Sequence, residues 1–304
     1  MTTPGTGGDA PEPFGARLRR AMDTRGPLSV GIDPHASLLA AWGLGDDVAG
    51  LERFAMTVVE ALGERVAVLK PQSAFFERFG SRGVAVLERA VAAARQAGAL
   101  VLMDAKRGDI GSTMAAYAAT YLDKDSPLFS DAVTLSPFLG FGSLRPALDA
   151  ARISGAGVFV LALTSNPEGA EVQRAAGADG RSVAQVVLDH IAAENAGEIA
   201  AGTAGARPLG SVGAVVGATL GRAGADLAVG GPLLAPGIGA QGATPEDLPG
   251  LFGAAAGDVV PSVSRDVLRH GPDAAALRNA AAAYAERLAE ALAGAGKADG
   301  NVLR

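Results

Sequence analysis

The sequence predicts an α/β fold, a single (β/α)8 TIM barrel, and three observations carry that prediction. Eight short apolar runs follow one another along 304 residues, stretches of helical composition separate them, and polar residues gather where the runs end. In chain order the strand candidates are Leu28 to Asp33, Ala67 to Lys70, Leu100 to Lys106, Ala132 to Leu135, Val158 to Thr164, Val212 to Gly217, Leu233 to Pro236 and Val259 to Val263. Between them Phe54, Val58, Val59 and Leu62 share one helical face, as do Val84, Leu87, Val91 and Ala94. Further helices are expected over Met114 to Leu122, Ser143 to Ile153, Val183 to Glu198, Gly221 to Ala225 and Ala274 to Ala293. Thr244-Pro245-Glu246-Asp247 reads as a helix start, with Thr244 at the cap, Pro245 in the first turn and Asp247 near the free amides. A doubly wound open sheet is the alternative, because this pattern alone does not show closure. The polar residues favour the barrel. Asp33, Lys70, Asp104 with Lys106, Thr164 with Ser165, and Gly237 with Gly239 all fall at or just past the carboxyl ends of their strands, which a barrel gathers into one rim.

Residues 13–293 are expected to form this barrel as one catalytic domain, flanked by loose tails over 1–12 and 294–304. Asn195 to Ser211, with its Gly, Ala and Pro content, reads as a loop or insertion before the sixth strand. Hydrophobic residues make up 49% while aromatics are only 5%, so the core is built mainly from Val, Leu, Ile and Ala. Lys and Arg number 26 against 32 Asp and Glu, and the net charge of -6 comes with no basic block to track a nucleic acid backbone. Cysteine is absent, which excludes disulfides, thiolate nucleophiles and thiolate metal sites. His35, His190 and His270 lie far apart and show no metal-ligand or triad spacing. The first dozen residues lack the basic start and apolar core of a secretory signal, and runs such as Val158 to Leu163 are too short to span a bilayer. Cytoplasmic residence, away from any membrane, is the resulting expectation.

The segment that carries chemistry is Asp104-Ala105-Lys106-Arg107-Gly108-Asp109-Ile110-Gly111-Ser112-Thr113, which follows directly on the apolar Leu100-Val101-Leu102-Met103. In an extended chain Asp104 and Lys106 project to one side and Ala105 to the other. An acid and an ammonium side by side at a strand end fix each other's charge and direct a field at a small ligand. The plainer reading is a salt-bridged strand terminus, with Lys70 pairing Asp104 and Asp109 capping a helix that begins near Ser112 or Thr113.

Several segments, in order, strongly resemble the orotidine 5'-phosphate decarboxylase family in its longer bacterial group. They are Gly31-Ile32-Asp33-Pro34, Lys70-Pro71-Gln72, Asp104 to Ile110, Thr164-Ser165-Asn166-Pro167, Pro236-Gly237-Ile238-Gly239-Ala240-Gln241-Gly242 and Ser262-Val263-Ser264-Arg265. Asp-x-Lys-x-x-Asp alone is shared with related sugar-phosphate decarboxylases; the ordered set is more specific. The resemblance implies conversion of orotidine 5'-phosphate to uridine 5'-phosphate and CO2, the last step of de novo uridylate synthesis, with no organic cofactor and no metal. It assigns Lys106 as the cation beside pyrimidine C6 and its proton donor, Asp104 to the departing carboxylate, and Lys70 and Asp109 to an alternating charged array.

The same resemblance implies a homodimer in which Asp109 and Thr113 reach the neighbouring site, and it places Asp33 and Thr113 on ribose hydroxyls. Ser165 is assigned to the pyrimidine edge, and Gln241 and Arg265 to the phosphate. Backbone amides around Gly239 to Gly242 or after Ser264 are further phosphate donors. Each has a local alternative: Arg265 as a surface residue after the last strand, Ser165 within a turn sequence, and Gln241 within a glycine-rich loop. Other activities on such a barrel are a magnesium-dependent sugar-phosphate decarboxylase, a Schiff-base lyase using Lys70 or Lys106, and a noncatalytic phosphate-ligand barrel.

Overall fold

The structure is a computed structural model and describes residues 11–201 and 207–298. Eight parallel strands close in sequence order, β1 (Ser29–Ile32), β2 (Val68–Pro71), β3 (Leu100–Arg107), β4 (Ala132–Leu135), β5 (Gly157–Leu163), β6 (Val212–Val216), β7 (Leu233–Pro236) and β8 (Val259–Val263). Closure is made by β8 against β1, where Ser29 pairs Ser262 and Val30 pairs Val263. The closed barrel is the expected fold, and the open sheet is set aside.

Helices wrap the outside: α1 (Phe14–Arg25), α2 (Ala36–Ala41), α3 (Val48–Leu62), α4 (Ala74–Glu77), α5 (Gly80–Gln96), α6 (Gly111–Leu122), α7 (Arg145–Ser154), α8 (Ala170–Gln173), α9 (Val183–Ala200), α10 (Leu248–Phe252), α11 (Arg265–Leu268) and α12 (Ala274–Ala298). Successive strand residues serve two cores. Val30, Leu69, Val101, Met103, Val133, Val158, Val160 and Ala214 pack outward with the helices. Their alternates Val68, Leu102, Ala132, Phe159, Val215, Leu234 and Val260 fill the interior. Both faces are buried, which is why the strands read as unbroken apolar runs.

The interior core ends on α1. Phe14, Leu18, Ala21 and Met22 close the amino-terminal mouth, with Phe14 edge-on to Phe159 at 6.0 Å between ring centres. Arg17 pairs with buried Asp131, which also accepts from the Val101 amide at 2.9 Å, and Arg19 donates to the Gly257 carbonyl at 2.9 Å. The apolar-run reading did not anticipate α1, although its buried residues recur at helical spacing.

Three segments depart from expectation. Gly221 to Ala225 is not helical, because Gly221 and Gly224 adopt φ of 68° and 64°, outside the helical region. Asn195 does not open a loop: α9 continues to Ala200, and residues 202–206 lie outside the described residues. The last helix passes Ala293 and runs to Ala298, so of the tails expected at 1–12 and 294–304 only 1–10 and 299–304 lie outside the described residues. Thr244 begins a short 3-10 turn over Pro245–Asp247 that leads into α10, and its amide donates to Asp247 Oδ2 at 2.7 Å. Among the described residues no helix is long and apolar enough to cross a membrane.

Candidate active site

The alternation that fills the interior with apolar side chains turns polar at the carboxyl ends. Above Val68 comes Lys70, above Leu102 comes Asp104, above Ala132 comes Thr134, and above Val260 comes Ser262. These inward residues, with Asp33, line a cavity of about 440 Å³ at the carboxyl rim. Asp33, Lys70, Asp104, Lys106, Ser165, Gln241 and Arg265 are all brought to this one cavity. Asp109 and Thr113 are not among its lining residues. Asp109 is half-buried, its Oδ1 accepting from the Ile110 amide at 2.7 Å, and Thr113 is exposed on α6. Asp109 makes no side-chain cap of that helix, which starts at Gly111 rather than at Ser112 or Thr113.

Asp104 is the centre of the charged group. Lys70 Nζ donates to its Oδ2 at 3.1 Å, while Lys106 Nζ donates to its Oδ1 at 2.5 Å. Lys70 and Asp104 are 5% and 8% exposed, so water screens their attraction little. Burial alone would raise the Asp104 pKa, but Lys70 and Lys106 outweigh it and hold the carboxyl well below its usual range. Burial likewise works against the Lys70 charge, and Asp104 with Asp33 overcomes it, leaving the ammonium above the ordinary lysine range. Asp33 is 7% exposed, and its Oδ1 has no partner among the described residues. Its carboxylate therefore has an acceptor to spare at the cavity wall.

Lys106 does not simply follow the strand alternation. Met103 pairs with Val133 and Arg107 with Leu135, so three residues of β3 oppose the single Thr134 and form a bulge. Lys106 has a φ of 48°, the one positive φ outside glycine among the described residues. Thr134 Oγ1 accepts from the Ala105 and Lys106 amides, each at 3.0 Å, and lies 3.0 Å from Asp104 Oδ1. Past the bulge Arg107 points away from the cavity, pairing with Glu77 of α4 and donating to the Ala105 carbonyl at 3.3 Å. The sequence reading missed Thr134, which sits inside an apolar run as an ordinary β-branched strand residue, and Glu77, whose contact is made only in the folded chain.

The far end of the cavity is suited to an anion. Arg265 is exposed at the start of α11 and enters no ion pair among the described residues. Lining the same cavity, Gln241 sits in a loop where Gly237, Gly239 and Gly242 all have positive φ. A Cβ on Gly239 would lie 2.2 Å from Asp266 Oδ2, so glycine permits the close approach of this loop to α11. Asp266 is held there by Tyr284, whose hydroxyl donates at 2.8 Å and whose pKa burial and Asp266 push up to about 12. The Gly239 and Gly242 amides donate within the loop, to the Ala243 and Gly239 carbonyls, which leaves Ala240 and Gln241 as the expected donors of this loop beside those after Ser264. Near the pyrimidine-edge candidate, the Gln173 side chain accepts from the Thr164 amide at 2.9 Å and donates to its hydroxyl at 2.6 Å, bracing the chain before Ser165.

A wider cleft of about 780 Å³ lies near the amino ends of β5 and β6, but its charges are already engaged: Arg152 with Glu194, and Glu198 with Ser211. No group of three or more His, Asp or Glu that could hold a metal ion occurs among the described residues.

Residues 26–280 match the model of the orotidine 5'-phosphate decarboxylase / HUMPS family. The chain is similar to an orotidine 5'-phosphate decarboxylase of Streptomyces coelicolor, 72% identical over 282 residues that cover 92% of this chain and 99% of the relative. A relative of the same description from Salinispora arenicola is 67% identical over 271 residues, covering 89% and 95%. Among solved structures, one from Streptomyces avermitilis superposes with a TM-score of 0.89 at 71% identity, covering 96% of this chain and 100% of the other. An orotidine monophosphate decarboxylase of Leishmania donovani superposes at 0.72 with 29% identity, covering 92% and 99%.

Proposed function

The chain belongs to the orotidine 5'-phosphate decarboxylase family, and on that premise we propose that Lys70, Asp104 and Lys106 are the catalytic centre at which it acts. Its reaction is the decarboxylation of orotidine 5'-phosphate to uridine 5'-phosphate and CO2 in pyrimidine biosynthesis. The observation that carries the assignment is the buried Asp104 carboxylate held between two ammonium groups at the cavity wall.

The chemistry follows from that arrangement. As the bond from C6 to the carboxyl carbon breaks, CO2 leaves and the electron pair stays on C6. Lys106, more exposed than its partners, presents a cation to that developing charge and then donates an Nζ proton to C6, leaving a neutral amine that water reprotonates. Asp104, fixed in the ionised state, faces the departing carboxylate and holds Lys106 in place. Lys70 supplies a charge that burial cannot neutralise. Charges fixed before the reaction act on the transition state without reorganising, the condition under which electrostatic stabilisation is largest.

Substrate is gripped at both ends. Arg265 forks onto the phosphate with Gln241 beside it, Asp33 receives a ribose hydroxyl on its unpartnered oxygen, and Ser165 meets the pyrimidine edge. The working unit is a homodimer in which Asp109 completes the neighbour's charged array and Thr113 reaches its ribose. Supporting this, Ile110, which follows Asp109, is 62% exposed, and Phe138 and Leu139, on the loop after β4 whose Ser136 amide donates to the Arg107 carbonyl, are 77% and 53% exposed, apolar side chains suited to covering by a second copy. Residues 13–293 act as one catalytic unit, resident in the cytoplasm.

The test is direct. Purified protein is mixed with orotidine 5'-phosphate and excess chelator, and pyrimidine absorbance and released CO2 are followed. Uridine 5'-phosphate should form, and Lys106→Ala should retain the fold but lose almost all turnover. A folded wild-type sample that forms no product ends the assignment; product formed only when magnesium is restored favours the metal-dependent sugar-phosphate type of chemistry instead.

A further inference from the structure

The geometry points to Thr134 as a positioning residue for the reaction, acting through Asp104 and Lys106 rather than on the substrate; this rests on the catalytic centre proposed above. A threonine hydroxyl has one proton to donate and two lone pairs to accept with. At Thr134 all three are used. The Ala105 and Lys106 amides can only donate, so they occupy the lone pairs, and the hydroxyl proton is left to point at Asp104 Oδ1. The direction of each bond is therefore settled by valence.

That single hydroxyl meets three demands the bulge creates. Three residues of β3 face one of β4, so the regular ladder with β4 is interrupted at Ala105 and Lys106. Both amides are satisfied by Thr134 Oγ1. Lys106 sits at a φ of 48°, which a side-chain-bearing residue keeps only where its surroundings hold it, and the bond to its own amide is part of that hold. Finally, Asp104 Oδ1 receives Lys106 Nζ and the Thr134 hydroxyl together, while Oδ2 receives Lys70. With three donors on two oxygens, the carboxylate plane is fixed.

Thr134 is 1% exposed, and its hydroxyl has no capacity left for substrate. Its removal should therefore misplace the lysine without weakening the nucleotide grip, which lies with Arg265, Gln241 and Asp33. The prediction is a split between kcat and KM.

Thr134→Val keeps shape and removes the hydroxyl. Its kcat should fall by roughly 10- to 100-fold, the range for losing a hydrogen bond to a charged group, with KM held within about threefold. Thr134→Ser restores all three bonds and should return most of the turnover. Thr134→Cys, a longer and weaker donor, should fall between Ser and Val. Wild-type kcat in the Val variant, or a loss carried entirely by KM, overturns the proposal. If Thr134→Val does not fold, the Ser and Cys variants decide it: Cys well below Ser at equal KM supports the role, and equal kcat overturns it. Failure of the catalytic assignment itself would appear separately, as absence of turnover in the wild type.

Discussion

Asp109 follows Lys106 by only three residues, yet Lys106 lines the cavity and Asp109 does not. The bulge and the loop over Gly108 to Ile110 carry the second acid away from the cavity its own chain forms, and its Oδ1 accepts from the next backbone amide. This separation has a testable consequence for the proposed dimer. Inactive Lys106→Ala protein mixed under exchange conditions with inactive Asp109→Ala protein should regain activity, because a heterodimer holds one site with both defects and one with neither. Verified heterodimers that stay inactive would show that Asp109 serves its own chain.

Arg265 should act selectively on the phosphate. Arg265→Ala is expected to reduce catalytic efficiency toward the nucleotide far more than toward the phosphate-free nucleoside, by about 1.5 to 3 kcal/mol for one charged hydrogen-bonding group. Gln241→Ala should show the same selectivity more weakly. Comparing kcat/KM on both substrates decides the point: equal proportional losses would mean that Arg265 supports the loops and not the ligand.

The charge on Asp104 sets an acid limit. Its folded pKa lies below its unfolded value of about 3.8, so its stabilising contribution is complete above that value and disappears as pH falls through the folded one. Wild type should therefore lose thermal stability relative to Asp104→Asn only below about pH 4, with a constant difference from there to neutrality. Lys70 behaves oppositely: its pKa is raised above 10.5, so its contribution is present below that value and is lost only as pH climbs through the folded one. Melting curves of both proteins across acid and neutral pH provide the check. A difference that changes near pH 6 would contradict an ionised, lysine-held Asp104.

Asn195 predicts a purely structural loss. Fully buried on α9, it donates to the Val212 and Val229 carbonyls at 2.7 and 2.9 Å and accepts from the Val212 amide at 3.1 Å. Asn195→Ala leaves these buried groups without that partner and should destabilise by about 3 kcal/mol. Turnover per folded molecule should be unchanged. Denaturant titration beside kcat separates the two, and a large drop in kcat at full folding would tie Asn195 to the site.

The strands were legible because each is buried on both faces and ends where function needs a polar group: β4, β7 and β8 coincide with the apolar runs that announced them. The cavity was legible for the same reason, since Lys70 and Asp104 are charged residues placed on interior positions. Thr134 was hidden by the opposite circumstance, a hydroxyl compatible with any strand, whose meaning depends on a bulge in the neighbour. Gly221 to Ala225 misled because alanine and glycine composition does not disclose the sign of φ. The α1 helix was legible in principle, through Phe14, Leu18, Ala21 and Met22, but its many arginines obscured that stripe.

The helix α1 also makes the barrel a vessel with one door. Phe14, Leu18, Ala21 and Met22 cover the floor and pack with the interior side chains, so the way out that the described cavity shows is at the carboxyl rim. A gas released inside has to pass out beside the molecule it was cut from. Escape of CO2 and departure of the nucleotide are thus traffic through a common entrance.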